Sequence, residues 1–236
     1  MSAFVAEIIG TAMILLFGCG VVAGVLLDKS KSNGGGWIVI TFAWAIGVTF
    51  GIYASGQFSG AHLNPAVTIG LAAAGKFSWS LVPTYIIGQF LGAMLGAFMV
   101  YLAYLPHWKE TKDAGLKLAV FSTGPAIRNA PANFICEFIA TFILMFVIMV
   151  IGANKYADGL GPVVVGILIL GMGLSFGGPT GYALNPARDL GPRIMHAILP
   201  IDGKGDSDWS YSWIPVIAPI CGAVCAALTA SALLPA

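Results

Sequence analysis

Two stretches carry most of the chemistry in an otherwise apolar chain: Gly60-Ala61-His62-Leu63-Asn64-Pro65-Ala66-Val67-Thr68 and Gly181-Tyr182-Ala183-Leu184-Asn185-Pro186-Ala187-Arg188-Asp189. Their shared Leu-Asn-Pro-Ala core recurs after 185 − 64 = 121 residues. Proline is tolerated at the first helical position, where its missing N–H costs nothing. Asparagine before it is a good N-cap. Each copy therefore reads as a loop feeding a helix that starts at Pro65 or Pro186. Asn64 and Asn185 would then present free amide N–H₂ donors at two helix starts, each of which carries partial positive charge.

Arg188 lies three positions after Asn185, one turn into such a helix. An ionisable side chain there is a functional feature by default. Its fixed cation and five donors suit gripping hydroxyls and repelling cations. Glu7 and Glu137 each sit inside a long apolar run, where a buried carboxylate needs donors. They read as anchors that accept N–H groups from the two loops and turn loop carbonyls toward a pore; a proton relay is the rival reading. Asp189 and Arg193, four apart, read as a local ion pair on one helix face. His62 reads as a residue fixed by the fold that lends its backbone carbonyl. Gly88, Gly92 and Gly96 make a small-residue stripe for close helix packing. No nucleophile–base set, phosphate loop or metal spacing occurs, so no enzyme chemistry, cofactor or metal is expected.

The surrounding elements follow from composition. Of 236 residues, 58% are hydrophobic and 9% charged, against about a quarter charged in soluble domains. The chain therefore reads as an all-α polytopic membrane protein. A net charge of +1 gives no reason to expect a nucleic-acid partner. Full spans are expected near 4–26, 38–56, 82–104, 133–153, 160–177 and 211–234. Two shorter helices, near 64–74 and 185–199, would dip in without crossing. Residues 106–131 read as the longest loop.

The halves repeat. Ala6–Thr11 resembles Cys136–Thr141, and Gly92-Ala93 resembles Gly222-Ala223, both at an offset of 130. Three spans per half force the second half to enter from the opposite face, giving an inverted-topology repeat with two re-entrant half-helices meeting at the midplane. The expected organisation is one domain over 1–236: a first repeat over about 1–105, a connecting loop over about 106–131, and a second repeat over about 132–236. With cytoplasmic termini, the outer loops at 28–36 and 106–131 carry six Lys/Arg and the inner loops only Lys76 and Lys155, so the charge rule points the other way.

The paired Asn-Pro-Ala motifs resemble those of the major intrinsic proteins, the aquaporin family, and the resemblance covers essentially the whole chain. Asp189 after Arg188, Arg193 four positions later and Pro215-Val216 in the last span resemble the aquaglyceroporin branch, the bacterial glycerol uptake facilitators. The resemblance implies a homotetramer in the cell membrane, with one pore per protomer passing glycerol, other small neutral solutes and water. It implies a selectivity filter at Trp44, Gly173, Tyr182 and Arg188. It also implies pore-lining carbonyls at Gly60, Ala61, His62, Gly181, Tyr182 and Ala183, and motif residues Asn64, Pro65, Ala66, Asn185, Pro186 and Ala187. Gly173 would leave room that a larger side chain closes. Tyr182 stands where the branch has phenylalanine. A hydroxyl pointing into the pore would favour water or a neutral hydroxy acid such as undissociated lactic acid; one pointing away would not.

Overall fold

The structure, a computed structural model, describes residues 1–234, and every regular element among them is helical. Six helices are long and apolar enough to cross a membrane: α1 (Ala3–Leu26), α2 (Gly36–Ser59), α4 (Val82–Ala103, preceded by a single 3-10 turn), α7 (Ala130–Ala153), α8 (Gly161–Thr180) and α10 (Ile214–Leu233). The protein is an integral, multi-pass membrane protein. Two short helices complete the expected set: α3 (Pro65–Ala73) and α9 (Pro186–Ile198). At 1.5 Å per residue they rise about 14 and 20 Å, short of the ~30 Å hydrocarbon core. Both start at the proline, capped by the side chains of Asn64 and Asn185.

Several boundaries depart from the sequence expectation. The stretch 106–131 is not a plain loop: it contains α5 (Leu105–Glu110) and α6 (Ala114–Phe121). Asp113 caps α6 by accepting from the amides of Gly115 and Leu116. The charged residues of the stretch hid an apolar face, since Trp108, Val120 and Phe121 are all buried. Helix α2 runs to Ser59, and α8 runs to Thr180 past Pro179; each ends on a glycine, Gly60 or Gly181, in the left-handed region. Helix α10 begins at Ile214, just before Pro215, because proline favours a helix's first turn. Residues 235–236, the end of the expected second repeat, lie outside the described residues.

The packing interlocks the two halves. Helix α1 packs on α2 and α4, and α7 on α8 and α10, while α3 lies against α10 and α9 against α4. Each half-helix is thus held by the last long helix of the other half. The glycine stripe explains how α4 comes so close to the backbone of α1. A Cβ at Gly92 would fall 2.3 Å from the carbonyl oxygen of Ile8, and one at Gly96 would fall 2.5 Å from that of Ala12. The counterpart at Gly222 would fall 2.4 Å from the carbonyl oxygen of Phe138. Ile8 and Phe138, like Gly92 and Gly222, are 130 apart, so the sequence offset is kept at the level of individual atoms.

Candidate functional site

The site starts with two loops whose backbones are alike. After Gly60 (φ 78°) come Ala61 and Leu63, both at φ 52°; after Gly181 (φ 82°) come Tyr182 (φ 40°) and Leu184 (φ 57°). Side-chain-bearing residues in the left-handed region cost about 1 kcal/mol or more each. The loops must therefore be held from outside, and the two buried glutamates hold them. Glu7 Oε1 accepts from Ser59 Oγ at 2.6 Å and His62 N at 3.1 Å. Its Oε2 accepts from Leu63 N at 2.8 Å and Gln89 Nε2 at 2.7 Å. In the second half, Glu137 Oε1 accepts from Thr180 Oγ1 at 2.6 Å and Ala183 N at 2.9 Å, and Oε2 from Leu184 N at 3.1 Å. Both side chains are fully buried. With both oxygens of each carboxylate receiving donors from the loop, the geometry is that of an anchor.

With their amides turned toward the glutamates, the loops leave carbonyls unspent. Among the described residues, the carbonyls of Gly60, Ala61, His62, Gly181, Tyr182 and Ala183 accept no hydrogen bond. The next carbonyl in each loop is used to join the halves. Asn64 Nδ2 donates to Leu184 O at 2.9 Å, and Asn185 Nδ2 donates to Leu63 O at 2.8 Å. The asparagine amides are therefore not wholly free, as the sequence suggested. One N–H of each locks the opposite loop, because the two helix starts meet closely enough for each cap to reach across. The second N–H of each remains.

Beside this junction lies a cavity of about 220 Å³. Its lining runs along α2 from Trp44 to Ile52, eight residues or about 12 Å of helix. Its polar lining comes from the two loops and the half-helix starts, at Gly60, Ala61, His62, Asn64, Ala183, Asn185 and Arg188; its apolar lining comes from the long helices α1, α2, α7 and α8, at Ile14, Val48, Leu144, Ile148 and Ile169. His62 is fixed: its Nδ1 is 3.1 Å from Thr68 Oγ1, and its ring packs against Phe77 and Tyr85. The cavity is a lane with acceptors and donors along one edge.

Trp44, Tyr182 and Arg188 close one end. The indole of Trp44 lies flat against α1, for a Cβ at Gly18 would fall 2.4 Å from three of its ring carbons. On its other face the Arg188 guanidinium carbon sits 4.0 Å from the ring centroid. The guanidinium donates no hydrogen bond to any described residue. Gly173 behaves differently from expectation. It does not leave open room and is not part of the cavity lining. A Cβ there would meet the Thr41 methyl at 2.7 Å and Tyr182 Cζ at 2.9 Å. The missing side chain lets the tyrosine ring lie back against α8, with the edge of Trp37 on it. Trp37 is held in turn, its Nε1 donating to Gly173 O at 2.9 Å. The Tyr182 hydroxyl is buried and has no partner.

Behind the arginine, Asp189 and Arg193 form the expected ion pair at 2.9 Å, with neither side chain exposed. They do more than pair. Asp189 Oδ2 accepts from Thr123 N at 2.7 Å and Thr123 Oγ1 at 2.6 Å, while Arg193 donates to the carbonyls of Thr123, Ser207 and Asp208. This pins the 122–126 segment and the 200–210 loop onto α9. Sequence reasoning missed Gly18, Thr41, Trp37, Gln89, Ser59 and Thr180. For the last two a signal existed: they are 121 apart, the spacing of the two asparagines.

Comparison with known proteins follows the same lines. The family profile described as Major intrinsic protein matches residues 1–230. The chain is 59% identical over 224 residues to a Thermotoga maritima protein named "Probable glycerol uptake facilitator protein", covering 95% of this chain and 96% of that one. It is 57% identical to the glycerol uptake facilitator protein of Bacillus subtilis, covering 94% and 81%. Among solved structures it resembles the aquaglyceroporin from Plasmodium falciparum, at 34% identity and a TM-score of 0.86, covering 98% of this chain and 95% of that one.

Proposed function

Because the chain belongs to the major intrinsic protein family, we propose that it is a passive channel for glycerol and similar small neutral polyols, passing water and excluding ions. It is a channel and not an enzyme. The observation that carries the reading is the lane beside the Asn64–Asn185 junction, with unspent carbonyls on one edge and hydrocarbon on the other. A polyol has hydroxyls on one side of its carbon chain and C–H groups on the other, so it matches such a lane in a single orientation. Two helix N-termini meeting at Asn64 and Asn185 place positive potential at mid-lane, which opposes protons and cations. The relatives' names, glycerol uptake facilitators, support the same solute class.

In this reading Trp44, Gly173, Tyr182 and Arg188 form the filter. Trp44 and Tyr182 supply its apolar wall, Gly173 the space into which the Tyr182 ring recedes, and Arg188 the donors. A molecule passes only when the Arg188 guanidinium leaves the face of Trp44. A cation–π contact is worth about 0.5–2 kcal/mol, so thermal motion opens it readily, and the solute's hydroxyls replace what the ring supplied. The hydroxyl of Tyr182 is buried and not open to the lane, which supports the polyol reading over a hydroxy acid. Tyr182 then acts as the branch's phenylalanine does.

Stopped-flow light scattering on proteoliposomes tests this. They should shrink and then reswell rapidly in a glycerol gradient, and Arg188→Ala should admit larger solutes. Glycerol flux equal to that of empty liposomes alongside high water flux would refute the polyol reading. Lactic acid uptake that rises as pH falls and weakens in Tyr182→Phe would install the hydroxy-acid reading instead. The same proposal carries a homotetramer in the cell membrane with cytoplasmic termini, tested by native mass spectrometry and by labelling single cysteines placed near Ser2.

A further inference from the structure

We propose a binding site for a phosphate group on the face formed by α5, α6 and the 200–205 loop, away from the lane. A second cavity there, of about 230 Å³, is lined by Lys109, Thr111, Lys112, Lys117, Asp202 and Gly203. Three lysines and one aspartate contribute to this lining, a formal balance of +2. The unusual member is Lys117. It is only 3% exposed, so bulk water solvates its charge far less than those of Lys109 and Lys112, which are exposed. Its Nζ donates to the carbonyl oxygen of Asp202.

No carboxylate among the described residues lies within ion-pair distance of any of the three lysines. The nearby Glu110 is already taken by Lys29, at 2.5 Å. Lys112 spends its own ammonium on the carbonyl of Lys109, and Thr111 is committed, donating to His107 O and accepting from Asp28 N. A buried ammonium with no counter-ion costs several kcal/mol unless something pairs with it. Interfacial lysines that merely snorkel to water explain Lys109 and Lys112; they do not explain a lysine buried under a loop beside a cavity.

The ligand chemistry follows from the donors. Three separate ammonium groups suit an oxyanion with acceptors pointing several ways, which a phosphate offers. Two sources share that chemistry, a free phosphate and the phosphodiester of an anionic lipid headgroup at the membrane surface. Binding would tie α6 to the 200–205 loop. That loop is fixed to the end of α9 by Lys204, whose Nζ donates to the carbonyls of Ala197 and Leu199. The site would therefore stabilise the outer end of the helix that carries Arg188, without touching a solute in the lane.

The test is thermal unfolding of the purified protein in zwitterionic detergent, at constant ionic strength, with inorganic phosphate replacing chloride. In parallel, native mass spectrometry compares retention of phosphatidylglycerol with that of phosphatidylcholine. A saturable rise in Tm with inorganic phosphate assigns a free-phosphate site. Selective retention of phosphatidylglycerol without that rise assigns the lipid headgroup. In either case Lys117→Met should weaken the binding about tenfold or more. Lys109→Gln combined with Lys112→Gln, which leaves the buried residue in place, should weaken it several-fold and guards against a misfolded Lys117→Met. No response to either probe, or a response unchanged in both variants, overturns the proposal.

Discussion

Replacing Glu137 with glutamine should unfasten the second loop, and the cost can be worked out from the contacts. The carboxylate receives three donors and gives none: Thr180 Oγ1, Ala183 N and Leu184 N. An amide has one acceptor oxygen and one NH₂ group. If its NH₂ takes the Oε2 side, the Leu184 amide faces another donor; on the Oε1 side the Thr180 hydroxyl can turn to accept, but the Ala183 amide cannot. Either way one buried backbone N–H is orphaned, at about 1–3 kcal/mol, and the remaining bonds lose their charge assistance, at about 1 kcal/mol each. A neutral amide is cheaper to bury, which offsets part of this. The net loss is about 3 kcal/mol, or a Tm lower by roughly 6–12 °C for a chain of this length. Glu7→Gln should cost more, because Glu7 also receives Gln89, whereas position 219, the counterpart of 89 in the second half, is proline. Thermal unfolding in detergent reads the effect, and stopped-flow glycerol flux should fall with it as the loop carbonyls lose their register. The exposed Glu110→Gln is the control and should shift Tm by no more than about 2 °C. A Glu137→Gln protein whose Tm lies within about 2 °C of the wild type would show that the carboxylate is not what holds the strained loop.

Other substitutions probe the remaining contacts. Gly92→Ala and Gly222→Ala should each destabilise by about 1–3 kcal/mol by forcing a helix away from a backbone carbonyl, and equal Tm values for variant and parent would refute the packing argument. Gly18→Ala should press the buried Trp44 indole toward Arg188, lowering glycerol flux and costing about 1–3 kcal/mol of stability; undiminished flux would show that the ring has another place to go. Tyr182→Phe should raise Tm slightly, since an unpartnered buried hydroxyl costs about 1–3 kcal/mol, and should leave the ratio of glycerol to water flux unchanged. Burial alone would raise the Asp208 carboxyl, but hydrogen bonds from Arg128 and Ser210 and the Arg128 charge outweigh it and hold the group below its usual range. Such a group stabilises the fold above the ordinary carboxylate value of about 3.9, and that contribution is lost as pH falls through the lower folded value. Arg128→Ala should therefore flatten the acid side of the stability profile, as read by unfolding between neutral and acid pH.

Much of the site was legible because membrane depth makes every polar residue expensive. Asn64, Asn185, Arg188, Glu7 and Glu137 stood out against apolar runs, and in hydrocarbon each needs a partner or a purpose. The repeat then supplied the pairing, since two residues at matching offsets in inverted halves must face each other across the midplane. What escaped was set by shape. Nothing marks Gly18 as the floor beneath Trp44, because they lie on different helices and a glycine carries no chemistry to notice. The same holds for Gly173, read as empty space: the family resemblance implies a filter position for it, whereas a neighbouring ring reclining into its hollow is visible only in the fold. Helices α5 and α6 were missed for a different reason. Their lysines, with Glu110 and the capping Asp113, resemble a solvated loop, and only the tertiary fold shows Trp108, Val120 and Phe121 turned inward together.

The Tyr182 hydroxyl shows where the two kinds of information meet. From the sequence, an added oxygen at the filter argues for a different solute. Its effect depends on the ring's tilt, which depends on the hollow at Gly173 and Gly177 and on Trp37 held by its bond to the Gly173 carbonyl. Three residues with no role in solute chemistry thus decide whether a fourth has one. If Gly173→Ala tips the ring back, the hydroxyl should enter the lane, and glycerol flux should fall more than water flux. A fall that is equal for both solutes would mean simple narrowing, with the hydroxyl still buried.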